Sequence, residues 1–376
     1  MLPLEGIKVV EVAQNLAGPF TGNILGHLGA DVIKVERPEG DDARGWGPPF
    51  IDDAAASFHA VNLNKQSIIL DLKDPAAIAR LKHLVRDADV LVQNMRPGAM
   101  EKLGLGGEDL LALNPRLVYC SLWAFGAQGP MRLNPGYEPM VQAFSGLMLL
   151  SGEEGGPPVR MGTQVLDHGT AMWAALGITA ALFRRDRTGR GGIVDTSLFE
   201  TALGWMTIHF SRFGVMGTVP ERHPTGNALV VVFQGFETQN GPVIVAAAND
   251  RLFAKLAAEL GHPEWADDPR FKDNAARVAN KAELIPQIEA IMLTRTKGDW
   301  IDRLTAVGVP CAPVHSMADV MDLPQTAATG MIQPVPGLDH RVMGLPIMFD
   351  GERPRIRSRA PKLGEHNAET GADGAD

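Results

Sequence analysis

Cysteine is almost missing from this 376-residue chain: only Cys120 and Cys311 occur, far apart and each in apolar surroundings. Two isolated thiols cannot make a disulfide framework or a zinc ribbon, so they read as buried free thiols in a reducing compartment. Basic excess is lacking too. The formal net charge is −9, with the acidic residues scattered, which leaves no face that could neutralise a phosphate backbone or hold an anionic membrane surface. A nucleic-acid partner is therefore not expected. No apolar run approaches the ~18 residues of a membrane span, and the opening MLPLEGIKVVEV has neither the basic head nor the small-residue cleavage site of an export signal. Together these deficits predict a soluble, cytoplasmic protein with no membrane partner.

Several catalytic signatures are missing as well. There is no G-x-x-x-x-G-K-[ST], and Gly104, Gly106 and Gly107 do not form a G-x-G-x-x-G turn between a strand and a helix, which removes the main support for a kinase or a dehydrogenase. The ten histidines show no H-E-x-x-H or i, i+4 pair, so no metal is expected. A G-x-S-x-G elbow is absent, and with it the commonest hydrolase signature.

What is present in the first third is alternation. Ile7–Val12, Val32–Glu36, Ser67–Leu72, Val90–Asn94 and Leu117–Leu122 read as strands, most too continuously apolar to have a wet face. Between them Thr21–Leu28, Pro75–Arg86 and Asp109–Leu113 read as helices. Such alternation predicts an α/β fold with a parallel Rossmann-like sheet covered on both faces. From Tyr137 to Gly217 the pattern is mostly helical, with a long apolar helix over Gly169–Phe183, a Thr188-Gly189-Arg190-Gly191-Gly192 turn and a strand through Val194. Pro220–Gly226 is the best linker candidate. Phe233–Thr238 and Val243–Ala248 then suggest a hairpin around Gln239-Asn240-Gly241, because Asn-Gly suits a tight type I′ turn. Helices from Arg251, Lys281 and Lys297 and an apolar strand over Val309–His315 complete a smaller α+β region. The small, acidic tail Glu369–Asp376 has the composition of a disordered end.

Two groups of residues carry candidate chemistry. Asp167 stands directly before the long apolar helix, where a carboxylate serves as an N-cap. The same helix dipole keeps such a group ionised and available as a nucleophile. The second group sits at predicted strand ends: Lys34 and Arg37, then Lys73 after Leu72, then Asn94 and Arg96, with Lys102 a turn further on. In a parallel sheet these ends line one crevice and could converge on a ligand with several phosphates. Taken alone, solvated strand ends are the commoner explanation of the same residues, because loops at strand ends are polar in most proteins.

A set of ordered motifs bears on that choice. Gly29-Ala30-Asp31-Val32-Ile33-Lys34-Val35-Glu36, Asn62-Leu63-Asn64-Lys65, Asn94-Met95-Arg96-Pro97-Gly98, Gln142-Ala143-Phe144-Ser145-Gly146-Leu147-Met148, Thr188-Gly189-Arg190-Gly191 and Gly308-Val309-Pro310-Cys311-Ala312-Pro313-Val314 run from one end of the chain to the other. In these the sequence resembles the class III CoA-transferases, also called the carnitine dehydratase and bile-acid-inducible protein F family. The resemblance implies an enzyme that moves coenzyme A from an acyl-CoA to a free carboxylic acid through a covalent aspartyl intermediate. CoA is then a co-substrate, and no NAD, flavin or metal is required. Asp167 matches the catalytic aspartate. Arg37, Lys73, Asn94 and Lys102 match positions that contact CoA, with Leu72 and Arg96 beside them, and Tyr137 matches a tyrosine near the reacting end. The resemblance also implies a discontinuous large CoA-binding domain (1–220 and 335–376), a small domain (221–334) and a homodimer of interlocked protomers. Related α-methylacyl-CoA racemases carry a histidine in a Gly-His-Asp triplet. Here the stretch is Gly136-Tyr137-Glu138, so one base of a two-base racemisation is missing and transfer is favoured over racemase activity or an inactive CoA-binding homologue. Pro224-Thr225-Gly226-Asn227 runs almost directly into the hairpin, without the glycine-rich insertion of formyl-CoA:oxalate transferases, which turns the expectation away from oxalate.

Overall fold

The computed structural model describes residues 1–368; the tail Glu369–Asp376 lies outside them. Six strands, β1 (Lys8–Val12), β2 (Asp31–Glu36), β3 (Lys65–Ile69), β4 (Val90–Gln93), β5 (Val118–Trp123) and β6 (Gly192–Ser197), make one sheet in the order β3-β2-β1-β4-β5-β6. Every pairing in it is parallel. Successive side chains of a strand point to opposite faces, and the two faces are buried separately. Val9, Val90, Val92, Val118 and Cys120 pack with helix α1 (Ala17–His27), whereas Val10, Leu91 and Tyr119 pack with Leu81 and Val85 of helix α2 (Pro75–Arg86). That double burial is why the strands read as unbroken apolar runs.

Further along come α3 (Glu138–Ser145), α4 (Val165–Thr188), α5 (Leu198–Trp205) and α6 (Thr207–Met216). The long helix α4 adds Ala171, Ala174, Ile178 and Leu182 to the α1 face. It ends at Gly189, whose φ of 73° is left-handed, a conformation that glycine enters without strain. Its last turn is pinned by buried Arg185, which donates to Asp89 at 2.8 Å.

The chain divides into two compact units. One comprises Met1–Met148, Arg160–Val215 and the segment beginning at Pro324; the other comprises Leu149–Val159 and Met216–Leu323. The second unit has its own core, in which Phe253, Leu256, Trp265, Phe271, Ile288, Trp300 and Leu304 are buried. Its helices α7 (Asp250–Glu259), α8 (Lys281–Met292) and α9 (Lys297–Ala306) pack with an antiparallel sheet of β7 (Phe233–Phe236), β8 (Val243–Ala246) and β9 (Cys311–Pro313). Among the described residues no helix is long and apolar enough to cross a membrane.

Three sequence expectations need correction. The hairpin forms, but its register pairs Phe236 with Val243, so the connection is longer than a two-residue type I′ turn. Thr238 closes it by donating its hydroxyl to the Gly241 carbonyl at 2.6 Å. The expected strand Val309–His315 shrinks to Cys311–Pro313, since only that stretch finds a partner in β8. The first helix begins at Ala17 rather than Thr21, because Pro19 fits a first helical turn.

Gly191 marks a tight backbone approach. A Cβ placed there would lie 1.9 Å from the Leu117 carbonyl oxygen, while its own N–H donates to Pro115 O at 2.9 Å. Backbone cannot yield as a side chain can, so Gly191→Ala is expected to destabilise the protein by about 2–4 kcal/mol. A urea midpoint equal to that of the parent protein would contradict this packing.

Candidate active site

The chain leaves β1 for β2 and β3 on one side, then returns to place β4 on the other side of β1. The carboxyl ends of β1 and β4 are thus the topological switch point, where open α/β sheets hold ligands. Here the two loops are stapled together. Asn94, just after β4, accepts from the Gln14 N–H at 2.9 Å and donates through Nδ2 to Gln14 O at 2.7 Å.

Parallel strand direction brings the other expected residues to the same edge. Arg37 follows β2, Leu72 and Lys73 follow β3, and Arg96 follows Asn94. Lys102 ends the short helix Ala99–Lys102 in the same β4-to-β5 connection. Lys73, Arg96 and Lys102 are exposed. Leu72 instead packs partly buried against the α2-side core, because β3 stops at Ile69. Arg37 is already engaged: its Nε donates to Gly40 O at 3.0 Å, and its guanidinium pairs with Asp42 and, at 3.7 Å, with Glu39. A phosphate at this place would have to displace those carboxylates.

Asp167 is not the N-cap that its position suggested. Gln164 precedes the helix, and Asp167 is its third residue, half-buried in the first turn of α4. Nor is it held simply ionised. Burial, helped by the neighbouring charge of Glu138, pushes its carboxyl up to about 7. The helix dipole acts the other way, but its contribution of about 0.3–1 kcal/mol is smaller than the cost of drying a carboxylate beside a like charge. At neutral pH roughly half of such groups carry the proton.

Glu138, in the first turn of α3, is the site residue that sequence reasoning passed over. It is only 4% exposed; its Oε1 accepts from Gln142 Nε2 at 2.6 Å, and the Leu166 N–H lies 3.5 Å from the same oxygen. The Oε1 of Gln142 in turn receives the Met161 N–H at 3.0 Å. So one glutamate and one glutamine tie α3 to the strand of chain that leads into Asp167. The signal was in plain view: a glutamate in the Gly136-Tyr137-Glu138 triplet with a glutamine four residues on. Tyr137 itself is 64% exposed at the start of α3.

Behind Asp167 the packing is tight. A Cβ on Gly169 would come within 2.3 Å of the Trp205 ring, and Thr170 shares a 2.9 Å hydroxyl bond with Thr201 of α5. His168 sets its ring edge-on to Phe20 of α1, with centroids 4.7 Å apart, so the first turns of α1 and α4 meet. Among the described residues no group of three His, Cys, Asp or Glu side chains is placed to hold a metal.

The arrangement defines a two-unit α/β protein whose switch-point edge carries cations and an elevated-pKa carboxylate at a helix start. The sequence profile of CoA-transferase family III matches residues 4–367. An acetyl-CoA:oxalate CoA-transferase of Acetobacter aceti is 38% identical, with 97% of this chain and 94% of that one aligned. A succinate–glutarate CoA-transferase of Agrobacterium fabrum is 37% identical over 99% of this chain and 95% of its own. A crystal structure of a CAIB/BAIF family protein from Brucella suis superimposes with a TM-score of 0.88 at 39% identity, covering 99% of both chains. This chain belongs to CoA-transferase family III: it is an enzyme of CoA transfer, with CoA thioesters as co-substrates.

The electrostatics at Asp167 can be measured directly. Carbon-13 NMR of the ligand-free protein is expected to show its carboxyl titrating near pH 7, and Glu138→Gln to lower that midpoint by removing the repelling charge. A midpoint in the ordinary carboxylate range for the parent protein would refute the description.

Proposed function

We propose that the protein moves CoA from an acyl-CoA to a free carboxylic acid with Asp167 as the covalent relay. The observation that carries this reading is the half-buried Asp167 carboxyl, raised to about 7, in the first turn of α4. An ionised Asp167 oxygen attacks the thioester carbonyl; the carbon–sulfur bond breaks, and a mixed anhydride and CoA thiolate result. The thiolate attacks the aspartyl carbonyl, and the donor acid leaves as its carboxylate. The acceptor carboxylate then attacks the aspartyl thioester, and the released thiolate takes the acceptor acyl group and restores Asp167. Partial dehydration strengthens the weak nucleophile, and orientation in the bound state supplies on the order of 7–11 kcal/mol of the barrier.

In this reading Arg37, Lys73, Asn94, Arg96 and Lys102 hold the phosphate-bearing part of CoA, with Leu72 and Tyr137 lining its path. The first of the two units is the CoA-binding domain, and the second is the small one. A dicarboxylic acid is the proposed acid substrate, because relatives of this chain are named for oxalate and glutarate. The missing glycine-rich insertion then argues against a formyl-CoA donor and no longer against oxalate. The assembly is an interlocked homodimer. Met172, Trp173, Leu176 and Phe183 on α4, with Ile208, Phe210 and Phe213 on α6, stand exposed, and so many large apolar side chains in the open support a second copy as their cover.

Asp167→Ala is expected to bind CoA by calorimetry yet lose transfer by about a thousandfold or more. Substantial activity in that variant would defeat the relay. Arg37→Ala is expected to raise the KM for CoA esters about five- to twentyfold with a smaller change in kcat; an unchanged KM would remove Arg37 from the binding group.

A further inference from the structure

The segment that leaves β1 and enters the first turn of α1, residues 13–19, is held by buried side chains. Lys34 Nζ donates to Ala13 O at 2.8 Å, and Lys65 Nζ donates to Pro19 O at 2.7 Å. Asp41 Oδ1 accepts the Asn15 N–H at 2.9 Å. Gln14 is fixed by Asn94 through both its N–H and its carbonyl. Asn15 sits at φ 69°, a left-handed conformation that asparagine enters more readily than most residues.

The two lysines and the acids that balance them are buried. Glu11 bridges Lys34 at 3.0 Å and Lys65 at 2.8 Å, and Asp41 meets Lys34 at 2.8 Å. Side-chain exposure is 0–1% for Lys34, Glu11 and Asp41. Two cations and two anions form a neutral, dry cluster. Apolar side chains of similar volume replace buried ion pairs in many proteins with no loss of stability, so fold stability alone is a weak reason for it. Its distinguishing feature is that the same ions reach out to the loop backbone.

That segment approaches the helix that carries Asp167, since Ala17 shares a core cluster with Ala171 and Ala174 of α4. It leads into the first turn of α1, where Phe20 packs against His168, the residue after Asp167. Gly18 is pressed so closely on the loop that a Cβ there would lie 2.4 Å from Ala13 Cβ and 3.2 Å from Asn94 Cγ. We propose that Lys34, Lys65, Glu11 and Asp41 are positioning residues that hold residues 13–19 as a rigid wall beside Asp167, so that the acyl group stays aligned and water is kept from the covalent intermediate. The proposal rests on the reading of Asp167 as the relay.

A loosened wall has a specific signature. Water then competes with thiolate and acceptor acid for the aspartyl adduct, while the CoA contacts contributed by Arg37, Lys73 and Lys102 stay in place. For Lys34→Met, KM for the acyl-CoA is expected to stay within about threefold, transfer kcat to fall about ten- to a hundredfold, and the hydrolysed share of thioester to rise. Asp41→Asn, which keeps an acceptor for Asn15, is expected to lose less than Asp41→Ala. Should Lys34→Met not fold, the charge-balanced pair Lys34→Met with Asp41→Asn takes its place. Independently, hydrogen exchange on the unaltered protein is expected to find the Gln14 and Asn15 amides protected as strongly as those of β1. Loop-like exchange there, or a folded variant with the parent ratio of transfer to hydrolysis and the parent kcat, overturns the proposal. An active Asp167→Ala variant sinks the relay reading instead; an inactive one beside an unaffected Lys34→Met sinks the wall alone.

Discussion

Everything at the site depends on six strands pointing the same way. Parallel pairing sends each strand's exit to one edge, and the helices that return begin at that edge with their N-termini forward. A single direction of chain therefore places Arg37, Lys73, Asn94 and Arg96, the start of α1 and the first turn of α4 at one edge of the sheet. The strand order reverses between β1 and β4, and at such a point the connections diverge and leave room for a ligand.

Within this frame the carboxyls are treated in two opposite ways. Glu11, Glu36 and Asp41 are buried with cations. Arg44 reaches Glu36 at 2.6 Å. Burial acts to lower the Lys34 ammonium, but Glu11, Asp41 and Glu36 outweigh it and hold it above its usual range. Lys65, with Glu11 as its nearest anion, drops to about 8 under burial. Among the described residues no cation pairs with Asp167; burial and Glu138 hold its proton more tightly. A fully paired carboxylate is stable and inert, and one half-dried beside a like charge is reactive at a cost in stability. The sign follows from linkage: Asp167 protonates more readily folded than unfolded, so its destabilising effect is absent at pH below about 4 and complete above about 7. The tight packing behind α4, where Gly169 lies against the Trp205 ring, offsets that cost.

The strands of the large sheet were legible because both faces are buried, which leaves continuous apolar runs that need no knowledge of their neighbours. Helix α2 was legible to the residue, with Asp74 capping it by accepting the Ala76 N–H and Pro75 at its first position. Less of the second unit could be read. The reach of β9 was set by its pairing with β8, and the Gln239-Asn240-Gly241 connection by contacts such as that between the Gln239 N–H and Arg295 O. Those partners are distant in sequence.

By itself the sequence determined the alternation of strand and helix, the family, and the candidate residues Asp167, Arg37, Lys73, Asn94, Arg96 and Lys102. Local pattern and motif carry such information because they depend on chain neighbours. Only the tertiary structure decided that Asp167 lies inside the helix rather than capping it, that burial and then Glu138 raise its pKa, that Leu72 turns into the core, and that Lys34 and Lys65 clamp the passage from β1 into α1. Each of these depends on how deeply a group is dried and on which charge the fold brings beside it, and neither quantity exists until the chain has closed on itself.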